Sequence, residues 1–424
     1  MTISPGAARR DPSSTRTTAG VVGALVLTGA ALGGYADAVR LRTRAMVSMG
    51  DLGIYRAAAT AVDHGRAVYG VRFAPLHMPF TYTPVAALLF VPLTWLSWDG
   101  LRLAVAIANV LAVFACAALS VRMASGALPW HRFLPTTLVL GAVCLWTEPV
   151  QQTLRFGQIN LLLLALALVD LRLPDSSPVK GCLIGVAAVI KLTPAVLIAY
   201  LLVTGRRTAA ARAIGVAVGA ALVAAVVLPS ASWGYWTHGV FATGQIGNPI
   251  YLGNQSIRGV LARLFGIGTT TTLLWLPLAV TAVAVGLLWG RKLHRAGHDL
   301  AGATTVAVAG LLASPFSWSH HWVWIIPTLA LAWEGAHRSQ SLGRRVLPLL
   351  VAATFAAWWI ARPGIPGGSP EGLLWLVPGK HSVERHWSLA QTLLGDLYVE
   401  LAVAAACAAG LLGAVRGRGS VEAL

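Results

Sequence analysis

Apolar residues gather into long runs, most of them approaching 20 residues, that recur from one end of the chain to the other. They fall near 20–39, 79–96, 101–122, 133–149, 158–172, 180–204, 210–229, 271–290, 300–314, 321–337, 344–361 and 393–416. A helix rising 1.5 Å per residue needs about 20 such residues to cross a hydrocarbon core roughly 30 Å thick. The pattern predicts an all-α, polytopic integral membrane protein with about twelve transmembrane helices.

Polar positions between the runs set the orientation. With the N-terminus inside, the loops 205–212 (Arg206, Arg207, Arg212), 291–298 (Arg291, Lys292, Arg295) and 338–345 (Arg338, Arg344, Arg345), and the tail with Arg416 and Arg418, are cytoplasmic. That satisfies the bias of Arg and Lys toward the cytoplasm. The same parity puts the loops 40–78, 231–270, 315–320 and 362–392 outside. It fits poorly over 122–180, where Arg122, Arg132, Arg172 and Lys180 come out external and Gln158-Ile159-Asn160 internal. A re-entrant 180–204 reverses that stretch: Lys191-Leu192-Thr193-Pro194 interrupts the run, and proline removes a backbone donor and favours a break. Residues 1–19, with Arg9, Arg10 and Arg16, read as a cytoplasmic tail ahead of an uncleaved first helix. Residues 20–424 read as a single transmembrane domain without repeats or a soluble insertion.

Composition excludes a soluble globular protein: 56% of the 424 residues are hydrophobic and 11% charged, against about 25% charged in an average soluble domain. The net charge of +17 suggests nucleic acid only in a soluble chain; here cytoplasmic loops and anionic lipid account for it, and no nucleic-acid partner is expected. Cys116, Cys144, Cys182 and Cys407 lie in or beside apolar runs without a CxxC pair and read as packing residues.

Most of the 15 acidic residues sit in tails, turns or helix ends; Asp37, Asp51, Asp63, Glu148, Glu371 and Glu384 remain. Asp51 stands out in Ser48-Met49-Gly50-Asp51-Leu52-Gly53-Ile54-Tyr55-Arg56, an amphipathic stretch outside the first span. It is placed either to cap that helix or to act beside Tyr55 and Arg56. Adjacent His320 and His321 in Ser317-Trp318-Ser319-His320-His321-Trp322 are either incidental to an aromatic belt or contacts for a phosphate or sugar. On a helix they diverge by about 100°, so they suit one metal ion poorly and only one is expected to face a groove. Lys191, the one lysine inside an apolar run, is a functional candidate or a snorkelling cation. Tyr82, Gln158, Asn160, Asn254, Gln255 and Arg258 punctuate the rest. There is no Walker A loop, GxGxxG or HExxH, so neither a cofactor nor a metal is expected.

Taken together, Asp51-Leu-x-x-Tyr55-Arg56, Tyr82-Thr83-Pro84, Gly157-Gln158-Ile159-Asn160, Lys191-Leu192-Thr193-Pro194, Gly253-Asn254-Gln255-Ser256 and Ser314-Pro315-x-Ser317-Trp318-x-His320-His321 resemble the actinobacterial polyprenyl-phosphate-mannose-dependent α-1,2-mannosyltransferases. The similarity runs from about 45 to 335, with Thr83 where the family is expected to carry proline. The resemblance implies a GT-C-like fold with outer-face juxtamembrane helices, in the plasma membrane, with its active site on the outer face. It also implies a polyprenyl-phosphate-mannose donor embedded among membrane lipids and a glycolipid acceptor, a phosphatidylinositol mannoside or lipomannan.

Inverting transfer from a β-linked donor needs one general base on the acceptor hydroxyl, and cationic side chains can replace a metal at the leaving phosphate. On that basis Asp51 is the expected base. His320, His321 and Lys191 are expected phosphate or acceptor contacts. Tyr55, Arg56, Tyr82, Gln158, Asn160, Asn254, Gln255 and Arg258 are expected to bind substrate. A decaprenyl-phosphate-arabinose-dependent transferase and a lipid-linked sugar flippase or transporter are the alternatives, the latter disfavoured by the lack of repeats and of further mid-membrane charges.

Overall fold

A computed structural model describes residues 12–73, 78–359, 368–379 and 383–419. The first 11 residues of the predicted tail, parts of the predicted outer loop 362–392, and the side chains of Arg416 and Arg418 lie outside the described residues.

The described residues are mostly helical. The first span, α1 (Pro12–Leu41), passes through a short turn, α2 (Thr43–Met46), into α3 (Gly50–Asp63). After a two-residue ribbon pairing Arg72–Phe73 with Met78–Pro79 come α4 (Pro84–Leu89), α5 (Trp98–Ser125) and α6 (Trp130–Leu145). Next are α7 (Glu148–Phe156), α8 (Asn160–Arg172), α9 (Cys182–Ile190), α10 (Val196–Val203), α11 (Arg207–Val227) and α12 (Pro229–Thr237). The C-terminal half holds α13 (Ile257–Phe265), α14 (Thr269–Arg295), α15 (Asp299–Ala313), α16 (Ile325–His337), α17 (Leu342–Phe355), α18 (Leu389–Gly395) and α19 (Leu397–Gly419).

Among the described residues, Thr18–Leu41, Trp98–Ser125, Arg207–Val227 and Thr269–Arg295 are each long and apolar enough to cross a membrane. The bent pairs α7 with α8 (117°) and α18 with α19 (80°) add two more if each counts as one span. Leu222 and Val226 on α11, and Leu273 and Leu288 on α14, point outward. Such exposed apolar faces on long helices belong against lipid, and the protein is membrane-integral.

The apolar runs do not all become full-length helices. The run 79–96 folds as a short helical stretch, Pro84–Trp95, about 18 Å long at 1.5 Å per residue. The run 180–204 is a hairpin of two half-helices, α9 and α10. Both its ends reach one carboxylate: Asp175 pairs with Lys180 Nζ at 3.3 Å and with Arg206 Nε at 3.1 Å. A chain that leaves and returns to the same side chain has not crossed a bilayer, so the hairpin, one of the two arrangements the sequence left open, is the one formed. Its tip is the Lys191–Ala195 break, where Lys191 turns extended ahead of Pro194.

That base is strongly tied. Asp170, at the end of α8, accepts the Gly181, Leu183 and Ile184 amides at 2.8, 2.9 and 3.1 Å, capping α9. Asp299 accepts Arg206 Nη2 at 2.8 Å and His294 Nδ1 at 3.0 Å, and Ser125 bonds to Glu334. The ends of α5, α8, α14, α15 and α16 therefore meet at one basic face. The main core, with Val113, Leu145, Leu168 and Ile326 buried among the helices, separates it from the hairpin tip.

Candidate active site

The site is built where α3 starts beside the α7–α8 corner. Met49 N–H donates to the Arg155 carbonyl at 2.8 Å, and Met49 itself is left-handed at φ 53° and fully buried. Gly157 makes the corner at φ +66°; a Cβ there would meet Met49 Sδ at 2.6 Å and Leu52 Cβ at 2.8 Å. Only glycine satisfies both the torsion and the close approach. The contact sets Gln158 against the first turn of α3. Asp51 does not cap that helix: Met49 holds the cap position without a side-chain bond, and the Asp51 carboxylate accepts Gln158 Nε2 at 2.7 Å instead.

Gln158 is oriented in turn. Its Oε1 accepts Tyr55 OH at 2.7 Å and Tyr82 OH at 3.0 Å, and the two hydroxyls stand 2.7 Å apart. Tyr55 also stacks on Phe90. Thr83, where proline was expected, caps α4 by accepting Ala86 N–H at 3.2 Å and donates to the Val189 carbonyl. It thereby joins Tyr82 to the hairpin tip. Burial pushes the Asp51 carboxyl up to about 6, against the Gln158 hydrogen bond and the Lys191 charge, which both lower it.

Asp51, Tyr55, Tyr82, Gln158, Lys191, His320 and His321 line one cavity of about 1260 Å³. Lys191 Nζ donates to Asn160 Oδ1 at 2.8 Å and lies 3.1 Å from His321 Nε2. Asn160 Nδ2 and Thr153 Oγ1 both donate to the His320 carbonyl, at 2.8 and 3.1 Å. The two imidazoles stand nearly perpendicular, 84° apart, with centroids 4.8 Å apart, and both line the cavity. The expectation that only one faces the groove fails because Ser319–Trp324 is a tight 3₁₀ segment broken at Trp322 rather than an α-helix. His320 Nε2 and His321 Nδ1 are buried without a hydrogen-bond partner among the described residues. The lining thus offers a proton acceptor at Asp51 and, beside the Tyr–Gln cluster, with Lys191 Nζ 5.4 Å from the centre of the Tyr82 ring, an amine and two imidazoles suited to an anion.

Four expected substrate contacts are placed elsewhere. Arg56 bonds to the Leu96 carbonyl and lies over Trp98. Asn254, fully buried, reaches the Pro249 and Pro315 carbonyls and accepts Ser317 N–H. Gln255, also fully buried, donates to the Leu252 and Gly395 carbonyls and accepts Tyr398 N–H. Their polar atoms clip loops together and do not line the cavity. Arg258 lies over Trp275 and Phe316, also off the cavity. Asn160 acts through Lys191 and His320 rather than from the cavity wall.

Two carboxylates that the sequence left unassigned gain places. Glu148 is fully buried and accepts Ser319 Oγ, Trp375 Nε1 and Tyr398 OH, each at 2.7 Å, which anchors the residue before His320. Glu384 lines the cavity with Trp318 and Trp375. Their partners come from more than 130 residues away in sequence, so local pattern carried no signal for them. Among the described residues no three His, Cys, Asp or Glu side chains converge as metal ligands.

Residues 80–315 match the family model described as Glycosyltransferase family 87. The chain is 33% identical over 315 residues to the polyprenol-phosphate-mannose-dependent alpha-(1-2)-phosphatidylinositol mannoside mannosyltransferase of Mycobacterium tuberculosis H37Rv, covering 70% of this chain and 73% of that protein. It is 35% identical over 317 residues to the protein of the same name from Mycolicibacterium smegmatis, covering 69% and 71%. A solved structure, ArnT from Cupriavidus metallidurans bound to undecaprenyl phosphate, aligns at 16% identity with a TM-score of 0.42 over 80% of this chain and 64% of that one.

Proposed function

Because the chain belongs to glycosyltransferase family 87, we propose that it moves mannose from polyprenyl-phosphate-mannose to a mannosylated phosphatidylinositol or related lipid acceptor, forming an α-1,2 linkage with inversion. The observation that carries this reading is a cavity whose lining brings Asp51 together with Lys191, His320 and His321. Donor and acceptor class come from the relatives' names.

In this mechanism Asp51 takes the proton of the acceptor hydroxyl as its oxygen attacks the anomeric carbon from the face opposite the phosphate. The new glycosidic bond forms as the bond from that carbon to the phosphate oxygen breaks, and the electron pair leaves with the lipid phosphate. Charge growing on that phosphate is met by the Lys191 ammonium and the imidazole donors. Gln158, held by Tyr55 and Tyr82, keeps the Asp51 carboxylate aimed.

The outer face of the plasma membrane suits the site. The helix ends at the base of the hairpin and beside it carry Arg122, Arg172, Lys180, Arg206, Lys292 and Arg338, which fits a cytoplasmic end. A lipid-phosphate sugar held by its chain would then present its headgroup to the cavity at membrane level.

The test is transfer itself. Purified protein incubated with radiolabelled polyprenyl-phosphate mannose and a panel of mannosylated phosphatidylinositols is expected to yield labelled glycolipid whose label α-mannosidase releases. No label on any acceptor, or transfer from polyprenyl-phosphate arabinose instead, overturns the reading.

A further inference from the structure

The cavity exceeds the roughly 300–1,000 Å³ usual for a single small ligand, and one of its carboxylates has no part in the mechanism above. Glu384 is only 3% exposed yet lines this cavity. Its Oε1 accepts one long bond, from Leu252 N–H at 3.4 Å, and its Oε2 has no hydrogen-bond partner among the described residues. A buried carboxylate oxygen without a partner is costly unless something with a hydroxyl or N–H completes it.

The neighbouring wall indicates which ligand chemistry fits. Tyr251 meets Trp318 edge to face, with centroids 6.2 Å apart, and leans against Trp375 at 6.0 Å. All three rings line the cavity. Aromatic faces pack against the C–H face of a pyranose, and a carboxylate accepts from its hydroxyls. A phosphate does not fit there, since Glu384 would repel it. The anion-binding corner at Lys191 and the Glu384 wall therefore serve different parts of a substrate pair.

On the transferase reading given above, we propose that Glu384, Tyr251, Trp318 and Trp375 form a sugar-recognition subsite that holds a mannose residue of the acceptor while Asp51 activates its reacting hydroxyl. Glu384 accepts hydroxyl hydrogens there and moves no proton in the reaction; it positions the acceptor.

Steady-state transfer with donor and acceptor varied separately tests this. Glu384→Gln keeps the size and the Oε1 acceptor, so it preserves the Leu252 contact; Glu384→Ala removes both oxygens. Both are expected to raise the acceptor KM about tenfold or more, while donor KM and kcat stay within about twofold. An unchanged acceptor KM in Glu384→Gln, or an equal rise in donor KM, overturns the subsite. Binding is read independently with octyl α-mannoside: it is expected to raise the melting temperature of the wild type and not that of Glu384→Gln. Equal shifts in both, or none in the wild type, count against the proposal. A wild type that binds octyl α-mannoside through Glu384 but transfers no mannose would overturn the functional reading and leave the sugar subsite standing.

Discussion

Lys191 Nζ stands 3.1 Å from His321 Nε2 and 2.8 Å from Asn160 Oδ1. As an ammonium Lys191 has only donors, so in that form His321 Nε2 is the acceptor and the hydrogen of the neutral ring sits on Nδ1. That nitrogen has no partner among the described residues. Two of the three Lys191 hydrogens are used, and the third is free for an anion. In its charged form Lys191 thus fixes the tautomer of its neighbour.

Lys191→Met, similar in length and without charge, is expected to lower kcat/KM for the lipid-phosphate donor by about 30-fold or more, the worth of a lost charge-assisted hydrogen bond. Acceptor KM is expected to change little. Steady-state kinetics with each substrate varied in turn read this, and unaltered donor kinetics would return Lys191 to a structural role.

The two histidines are expected to differ. His321→Ala removes an Nδ1 donor and also a partner of Lys191, whereas His320→Ala removes a single ring whose backbone carbonyl stays held by Asn160 and Thr153. A loss of about 100-fold for His321→Ala and about tenfold for His320→Ala is expected in donor kcat/KM. Two silent variants would remove both rings from the anion site.

Asp51→Asn keeps the shape and loses the base, so kcat is expected to fall about 100-fold or more. The raised Asp51 pKa also fixes a sign for stability. Folding disfavours the ionised form, so the carboxylate costs stability as pH rises from its ordinary range through about 6. Asp51→Asn is therefore expected to melt at the same or a higher temperature at pH 7.5. In the wild type kcat/KM is expected to fall about tenfold per unit below pH 6 and to level off above it. A flat profile between pH 5 and 7 would contradict the assignment.

Gln158→Leu separates positioning from fold. The Gln158 hydrogen bond lowers the Asp51 pKa, so its loss is expected to move the acid limb of the pH profile above 6 as well as reduce kcat by about tenfold. A rate loss with the acid limb unmoved would mean that Gln158 acts only on packing.

Legibility followed sequence distance. Asp51, Lys191, His320 and His321 were readable because a polar group against an apolar run is conspicuous wherever the chain folds. Asn254 and Gln255 looked equally conspicuous, but their partners, the Pro315 and Gly395 carbonyls, come from a loop and from the end of α18, about 60 and 140 residues away in sequence, so nothing local marked them as clips rather than ligands. Glu148 and Glu384 went unassigned for the same reason. The hairpin at 180–204 was half readable: Pro194 announced the break, while the return to Asp175 depends on Lys180 and Arg206 meeting in space.

Gly157 looked like one residue of a motif, and the structure makes it the hinge on which Asp51 is placed. Alanine there must hold φ +66° and push its Cβ against Met49 Sδ and Leu52 Cβ. The torsion alone costs on the order of 1 kcal/mol, and displacing a buried neighbour adds a further 1–3 kcal/mol or so. Because those neighbours flank Asp51 on α3, the strain is expected to shift the carboxylate from Gln158 and to lower kcat beyond what loss of folded protein explains. Met49→Ala in the same chain removes the sulfur that the new methyl meets, so the double variant is expected to recover part of the melting temperature lost by Gly157→Ala while the left-handed torsion cost remains. Thermal melts of the single and double variants, with kcat normalised to folded protein, decide the matter: a Gly157→Ala enzyme with wild-type melting and turnover would show that the corner tolerates a side chain and that α3 is held by something else.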